Sequence, residues 1–189
     1  LCRRFSETDP SATYAISATT RPPREGERNG VDYFFLGREE FETRVSDGEF
    51  LEYAEVHGNL YGTLKSEVLG HLAAGRDVLL DLDVQGAATV RGVADDTIRE
   101  ALVDIFILLP EGDELAKRLR SRGTETEDQL ALRLFNAREE SRHWVDYTYT
   151  LVSADRETDF AAFRAILTGE RCRSRRLRKG PGETTFPGV

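Results

Sequence analysis

The sequence predicts an α/β fold with a small sheet inserted into it, and three observations carry that expectation. Val78 to Leu82 and Val103 to Leu109 are nearly continuous apolar runs, the pattern of strands buried on both faces of a parallel sheet. Between and after them helical and extended patterns alternate, as crossover connections require. Ahead of them, short runs of aromatic and branched residues are punctuated by Gly, Pro and Asn, which suits a small antiparallel sheet. The length of 189 residues is that of one domain with a core of its own.

Taken in order, Thr13 to Ser17 is a short apolar stretch that predicts a strand. Ala18 to Gly30, with Pro22, Pro23, Gly26 and Gly30, predicts a loop. Val31–Leu36, Phe50–Val56 and Asn59–Thr63 read as strands, the last two joined by a tight turn at His57-Gly58. Arg38–Val45 reads as a short helix because Phe41 and Val45 stand four apart on one face. In Ser66–Ala74, Val68, Leu69 and Leu72 recur at helical spacing and Gly75 is placed as a C-cap. Gly112–Arg122 and Thr126–His143 follow as helices, the second opened by a Thr126/Gln129 capping box. Tyr147–Val152 then reads as a strand and Thr158–Leu167 as a helix.

Acidic residues outnumber basic ones by 34 to 26, and the net charge of -8 argues against a general nucleic-acid-binding surface. The exception is the C-terminus. Six of the nine residues from Arg171 to Lys179 are basic, so residues 171–189 carry +5 and residues 1–170 carry -13. Such a tail is expected to be a solvated, disordered extension, with an RNA or membrane contact as the sharper alternative. No apolar run approaches the roughly 20 residues of a membrane helix, and no signal-peptide pattern opens the chain. Cys2 and Cys172 form neither a disulfide framework nor a metal-ligand spacing, which points to a reducing compartment. The chain holds no methionine, so the sequence is expected to be truncated at its front.

The densest chemical signal is Ser17-Ala18-Thr19-Thr20-Arg21-Pro22-Pro23-Arg24-Glu25-Gly26-Glu27. Arg21 and Arg24 in a proline-stiffened loop present forked donors suited to a phosphate dianion; equally, they could pair with Glu25 and Glu27 on the surface. Tyr33, and Tyr61 between Gly58 and Gly62, could donate to a phosphate oxygen or be sheet residues with one wet end. Glu52, an acid in the apolar run Phe50-Leu51-Glu52-Tyr53-Ala54, could accept the paired N–H donors of a guanine edge or lie on an exposed strand face. Asp81 and Asp83 close the Val78 strand two apart, so they are expected on one face at its carboxyl end, where metal-bound phosphates sit; capping the following turn would employ one of them. Arg118 and Arg122 share a helix face and Arg133 lies on the next helix, placed to neutralise a transferring phosphoryl group or to form a solvated face with Glu114, Glu125 and Glu139.

The order and spacing of these signals are specific. Ser-Ala-Thr-Thr-Arg-Pro-Pro-Arg-x-Gly-Glu, Gly-Val-Asp-Tyr-x-Phe, Phe-Leu-Glu-Tyr-Ala, His-Gly-Asn-x-Tyr-Gly-Thr, Asp-Leu-Asp-Val-Gln-Gly-Ala and Arg-Leu-x-x-Arg-Gly strongly resemble the guanylate kinase family, from about Tyr14 to Ala165. The resemblance implies a parallel sheet core of P-loop kinase type with an inserted GMP-binding sheet and a helical lid. Residues 1–170 would form the domain, with the core at 1–17 and 76–170, the insertion at about 18–75 and the lid at about 112–143; residues 171–189 would be the tail. It implies transfer of the γ-phosphoryl group of ATP to GMP, giving ADP and GDP with Mg²⁺, in the cytoplasm, by either a monomer or a homodimer.

By the same resemblance Arg21, Arg24, Tyr33 and Tyr61 hold the GMP phosphate, and Ser17, Glu52 and Thr63 surround the guanine. Asp81 and Asp83 form the acidic pair that serves GMP and, through water, the metal. Arg118, Arg122 and Arg133 clamp ATP phosphates and the transition state, and Ser153 stands near adenine where the family usually has asparagine. The family also has a strand and a Gly-x-x-x-x-Gly-Lys-Ser/Thr loop ahead of the helix that Leu1 to Phe5 continues, and neither occurs among these residues. The chain as written is therefore expected to bind GMP without turning over ATP. The other reading is a catalytically silent module that binds GMP or a phosphopeptide.

Overall fold

The structure is a computed structural model that describes residues 1–56, 58–109 and 127–176, with the backbone alone at 127–133 and 175. The chain divides into two compact units, Cys2–Leu102 and the residues from Val103 onward.

In the first unit, helix α1 (Cys2–Thr8) buries Phe5 and leads into β1 (Ala12–Tyr14), which pairs in parallel with β6 (Asp77–Leu79). A four-stranded sheet runs in the order β3 (Phe34–Phe35), β2 (Ala18–Thr19), β5 (Asn59–Leu64), β4 (Phe50–Val56). β2 is parallel to β3 and antiparallel to β5, and β4 and β5 form a hairpin in which Val56 faces Asn59. The sheet is thus mixed. Ala18 and Thr19 belong to its interior and not to the expected loop, because small and polar side chains carry no strand pattern and their pairing comes from the strands on both sides. Of the apolar stretch Val31–Leu36, only Phe34 and Phe35 join the sheet, and Tyr33 forms an isolated bridge with Asn29.

Helix α2 (Arg38–Ser46) covers this sheet. Phe41 is fully enclosed and stacks on Phe50 with centroids 4.2 Å apart, in a cluster with Ala18, Leu60 and Leu64. Helices α3 (Lys65–Ala73), α4 (Val84–Arg91) and α5 (Asp96–Ala101) contribute Val68, Val90 and Ile98 to a second cluster around Leu51. The Val78–Leu82 run keeps strand geometry only to Leu79, where its partner β1 ends. Leu80 and Leu82 instead pack against that second cluster as irregular chain.

In the second unit β7 (Ile105–Leu108) pairs in parallel with β8 (Tyr149–Val152), and Ile107 is 47% exposed, so the run is not enclosed on both faces here. A helix spans Glu127–Ser141 and a 3-10 turn Arg142–Asp146. The helix expected at Thr158–Leu167 extends over Arg156–Arg171, because Asp155 accepts hydrogen bonds from the Glu157 and Thr158 N–H groups at 2.9 and 3.0 Å. The Gly112–Arg122 helix and the Thr126 capping box lie outside the described residues.

The basic run at the C-terminus does not begin as a solvated extension. Glu170, only 3% exposed, accepts the Tyr149 hydroxyl at 2.6 Å, Arg173 Nη1 at 2.8 Å and Arg176 Nε at 3.1 Å. A buried carboxylate needs such partners, and they draw Ser174–Arg176 into a 3-10 turn. Burial alone would push the Glu170 carboxyl up, but the hydrogen bonds from Tyr149 and Arg173 and the charges of Arg173 and Arg176 outweigh it and hold the group below the usual carboxylate range. A lowered folded value means stability that is present above the unfolded value of about 4.3 and lost as pH falls through the folded one. Glu170→Gln should therefore destabilise the protein at neutral pH by on the order of 2 kcal/mol. Melting curves from pH 7 to 3 should show the gap from the parent closing at the acid end; a constant gap would rule out the carboxylate's charge as its source.

Candidate functional site

The short strands β2, β3 and β5 lie side by side, and this brings Arg21, Tyr33 and Tyr61 together from three separate stretches of sequence. The Arg21 guanidinium lies over the Tyr33 ring at 5.5 Å and the Phe35 ring at 5.9 Å, and the Tyr33 and Tyr61 rings meet edge to face at 6.2 Å. Aromatic faces hold a guanidinium by its charge while leaving its in-plane donors available. Glu27 supplies the other constraint, accepting Arg21 Nη2 at 2.9 and 3.0 Å and the Arg24 backbone N–H at 2.7 Å. Gly26, at φ 87°, lets the chain turn back so that Glu27 reaches both. The hydrogen bond to Glu27 holds the Arg21 guanidinium above its ordinary value, and Arg21 in turn holds the Glu27 carboxyl below its own. The expected surface pairing of Arg21 is thus present, with Glu27 as its partner. The Arg24 guanidinium is exposed and makes no hydrogen bond among the described residues.

Glu52 is not on an exposed face. A register shift between Phe50 and Glu52 turns it inward, where it is 9% exposed and accepts the Thr63 hydroxyl at 2.7 Å. Burial pushes its carboxyl up, the Thr63 hydrogen bond partly offsets this, and the charge of Asp83 adds to the rise. The Thr63 backbone N–H bonds the carboxylate as well, and its second oxygen, Oε2, lies near Gly86, where an added Cβ would be 3.6 Å from it. Ser17 is half-buried, and its carbonyl accepts the Phe34 N–H at 2.9 Å, which fixes the chain entering β2.

Asp81 and Asp83 do not close a strand, because strand geometry ends two residues before Asp81. Asp83 turns to α4, accepting the Gly86 N–H at 2.7 Å as its N-cap, and its charge bears on Glu52. Asp81 is exposed and bears instead on the Cys2 thiol and the Tyr14 phenol, both of which burial pushes up and Asp81 pushes further. The charge of one acid is thus felt at Glu52 and that of the other at Cys2 and Tyr14.

In the second unit the buried Ser153 donates its hydroxyl to Asp159 at 2.7 Å, and Asp159 also accepts the Ala154 N–H at 2.7 Å. Ser153 therefore helps fix the start of the Arg156–Arg171 helix. Arg118 and Arg122 lie outside the described residues, and Arg133 is placed by its backbone alone, within the Glu127–Ser141 helix. Among the described residues no three His, Cys, Asp or Glu side chains converge as a metal site, and no helix is long and apolar enough to cross a membrane. The residue that sequence reasoning undervalued is Glu27, treated as a surface partner; the Arg-x-Gly-Glu spacing was the available signal.

An α/β protein that sets a buried carboxylate beside an arginine–tyrosine cluster has the groups of a nucleotide-binding kinase. Comparison with known proteins defines it further. The guanylate kinase family model matches residues 3–170. A guanylate kinase of Syntrophotalea carbinolica is 44% identical over 183 residues, covering 96% of this chain and 84% of that protein. One of Cereibacter sphaeroides is 42% identical over 173 residues, covering 92% and 81%. The crystal structure of guanylate kinase from Anaplasma phagocytophilum superposes with a TM-score of 0.69 at 33% identity, covering 92% of this chain and 82% of that one. The chain belongs to the guanylate kinase family.

Proposed function

We propose that this chain transfers the γ-phosphoryl group of ATP to GMP, and that the unit Cys2–Leu102 holds the GMP. The observation that carries this is Glu52, a carboxylate only 9% exposed, held by Thr63 and with Oε2 facing Gly86. Such a group is costly unless a ligand pairs with it, and the guanine edge offers adjacent N–H donors that adenine lacks. Arg21, Arg24, Tyr33 and Tyr61 would hold the phosphate, with Ser17 and Thr63 bordering the base. The retained lid arginines Arg118, Arg122 and Arg133 would clamp ATP and the transition state. This favours an enzyme over a silent module, since a module that only binds has no use for charge neutralisation at the transferring group.

The exposed carboxylate of Asp81 suits outer-sphere contact with Mg²⁺, which keeps most of its waters and takes other ligands from phosphate. When bound, Mg²⁺ would neutralise charge on the ATP phosphates. Asp83, its Oδ1 committed to Gly86, would serve the base side. Ser153, its proton committed to Asp159, would border the adenine without donating to it. The reaction belongs to the cytoplasm.

The test is calorimetric titration with GMP, AMP and guanosine, together with ADP formation from ATP and Mg²⁺ in the presence of GMP, AMP, CMP or UMP. GMP is expected to bind well ahead of AMP; equal affinities would refute the base assignment. Arg24→Ala should weaken GMP by about 10- to 100-fold, the worth of a charge-assisted hydrogen bond, and leave guanosine unchanged. Equal GMP affinity in that variant would remove Arg24 from the phosphate site.

A further inference from the structure

We infer that Glu27 is a positioning residue for the phosphate site, one that sets how strongly the protein prefers a nucleoside monophosphate over the bare nucleoside. The inference rests on the reading of Arg21 as a phosphate ligand, given above.

Three observations carry it. Glu27 occupies only one nitrogen of Arg21, Nη2, while Nη1 donates to the Pro22 carbonyl at 2.7 Å. A guanidinium has five N–H donors; Glu27 and the Pro22 carbonyl take two of its nitrogens, the Tyr61 hydroxyl pairs with it as well, and the fork keeps donor capacity beside that hydroxyl for a ligand. Secondly, the same carboxylate accepts the Arg24 backbone N–H, so one side chain fixes the loop at both arginines. Finally, Arg21 and Glu27 are 14% and 20% exposed in their side chains, and Arg21 is held over two rings as well.

An arginine left free would lose the rotations of a long side chain on meeting phosphate. Here that ordering is done before the ligand arrives, which is how preorganisation raises affinity. The opposing effect is repulsion between the Glu27 carboxylate and the phosphate. It is the smaller effect because the carboxylate sits between two guanidinium-bearing residues, whose charges both act on it, and the three together remain net positive. Glu27 touches neither base nor phosphate in this scheme; it acts through Arg21 and the Arg24 backbone.

The experiment measures Kd for GMP and for guanosine in the parent and in Glu27→Gln, Glu27→Asp and Arg21→Ala, and takes the ratio of the two as the phosphate increment. Glu27→Gln should cut the increment by about tenfold, the scale of one charge-assisted hydrogen bond, with guanosine held within about twofold. General loosening of the fold would weaken both ligands alike and leave the ratio unmoved. Glu27→Asp keeps the charge but shortens the reach, and should fall between parent and Gln; it also serves as the test if the Gln variant does not fold. An unchanged increment would overturn the inference, and a larger one would show Glu27 to be a competitor of phosphate. Arg21→Ala separates the two levels: if it leaves the increment intact, the phosphate reading fails, whereas loss in Arg21→Ala without loss in the Glu27 variants sinks the inference alone.

Discussion

Glu52→Gln is expected to weaken GMP binding by roughly 10- to 150-fold, while raising the melting temperature. The first effect follows from donor chemistry. A glutamine keeps one acceptor oxygen and turns the other into an amide donor, so one guanine N–H would face an N–H in place of a carboxylate; a bond to a charged group is worth about 1.5–3 kcal/mol. The second follows from burial, which pushes the Glu52 carboxyl up. A carboxyl raised on folding contributes stability at low pH that is lost as pH rises through its folded value, so at pH 7 the ionised form works against the fold. Glutamine removes that term and still accepts from Thr63. For a chain of this length each kcal/mol relieved is worth about 2–4 °C. GMP affinity of the parent should also fall as pH is lowered through the raised value, and that dependence should vanish in the variant. A variant that melts lower and binds GMP normally would show Glu52 to be a structural acid.

Gly62→Ala is the substitution expected to cost most stability. A Cβ there would lie 2.7 Å from the Glu52 carbonyl oxygen, 2.8 Å from Phe50 Cδ1 and 2.8 Å from Tyr53 Cβ. Gly62 is opposite Tyr53 in the β4–β5 hairpin and opposite Ala18 in β2, so it sits in a strand paired on both edges. Relief would require separating strands whose hydrogen bonds hold the site together. About 3 kcal/mol of overpacking is expected, read as a fall of roughly 6–12 °C in melting temperature. Because Glu52 and Thr63 straddle the clash, GMP affinity should fall with it. A variant melting within about 2 °C of the parent would mean that the strands yield easily, against the tight packing argued here.

These expectations show where sequence reading succeeds and where it stops. Phe41, Val68 and Leu72 announced their helices because a buried face repeats at a fixed period, and Glu52 announced itself as an acid in an apolar run. β2 gave no such signal: Ala18 and Thr19 are neither branched-apolar nor alternating, and their strand exists only because β3 and β5 pair with them. The apolar run up to Asp83 overstated its strand for the opposite reason, since the strand ends at Leu79 with its partner β1. Glu170 was missed because a lone acid ahead of a basic run reads as surface, and its burial depends on Tyr149, 21 residues away in sequence. The residues proposed for guanine and phosphate were legible as types in motif order, but not the way Glu27 ties Arg21 to Arg24, which needs the Gly26 turn.

The contrast between the two thiols carries a practical consequence for chemical labelling. Cys2 is held protonated by burial and by the nearby Asp81 carboxylate, whereas Cys172 is exposed at the end of the last helix. Alkylation proceeds through the thiolate and needs access, so a maleimide dye would attach at Cys172 first. The parent sequence thus already carries a near-selective attachment point beside the Glu170 cluster, from which a fluorophore could follow acid unfolding at that end without any cysteine being added or removed.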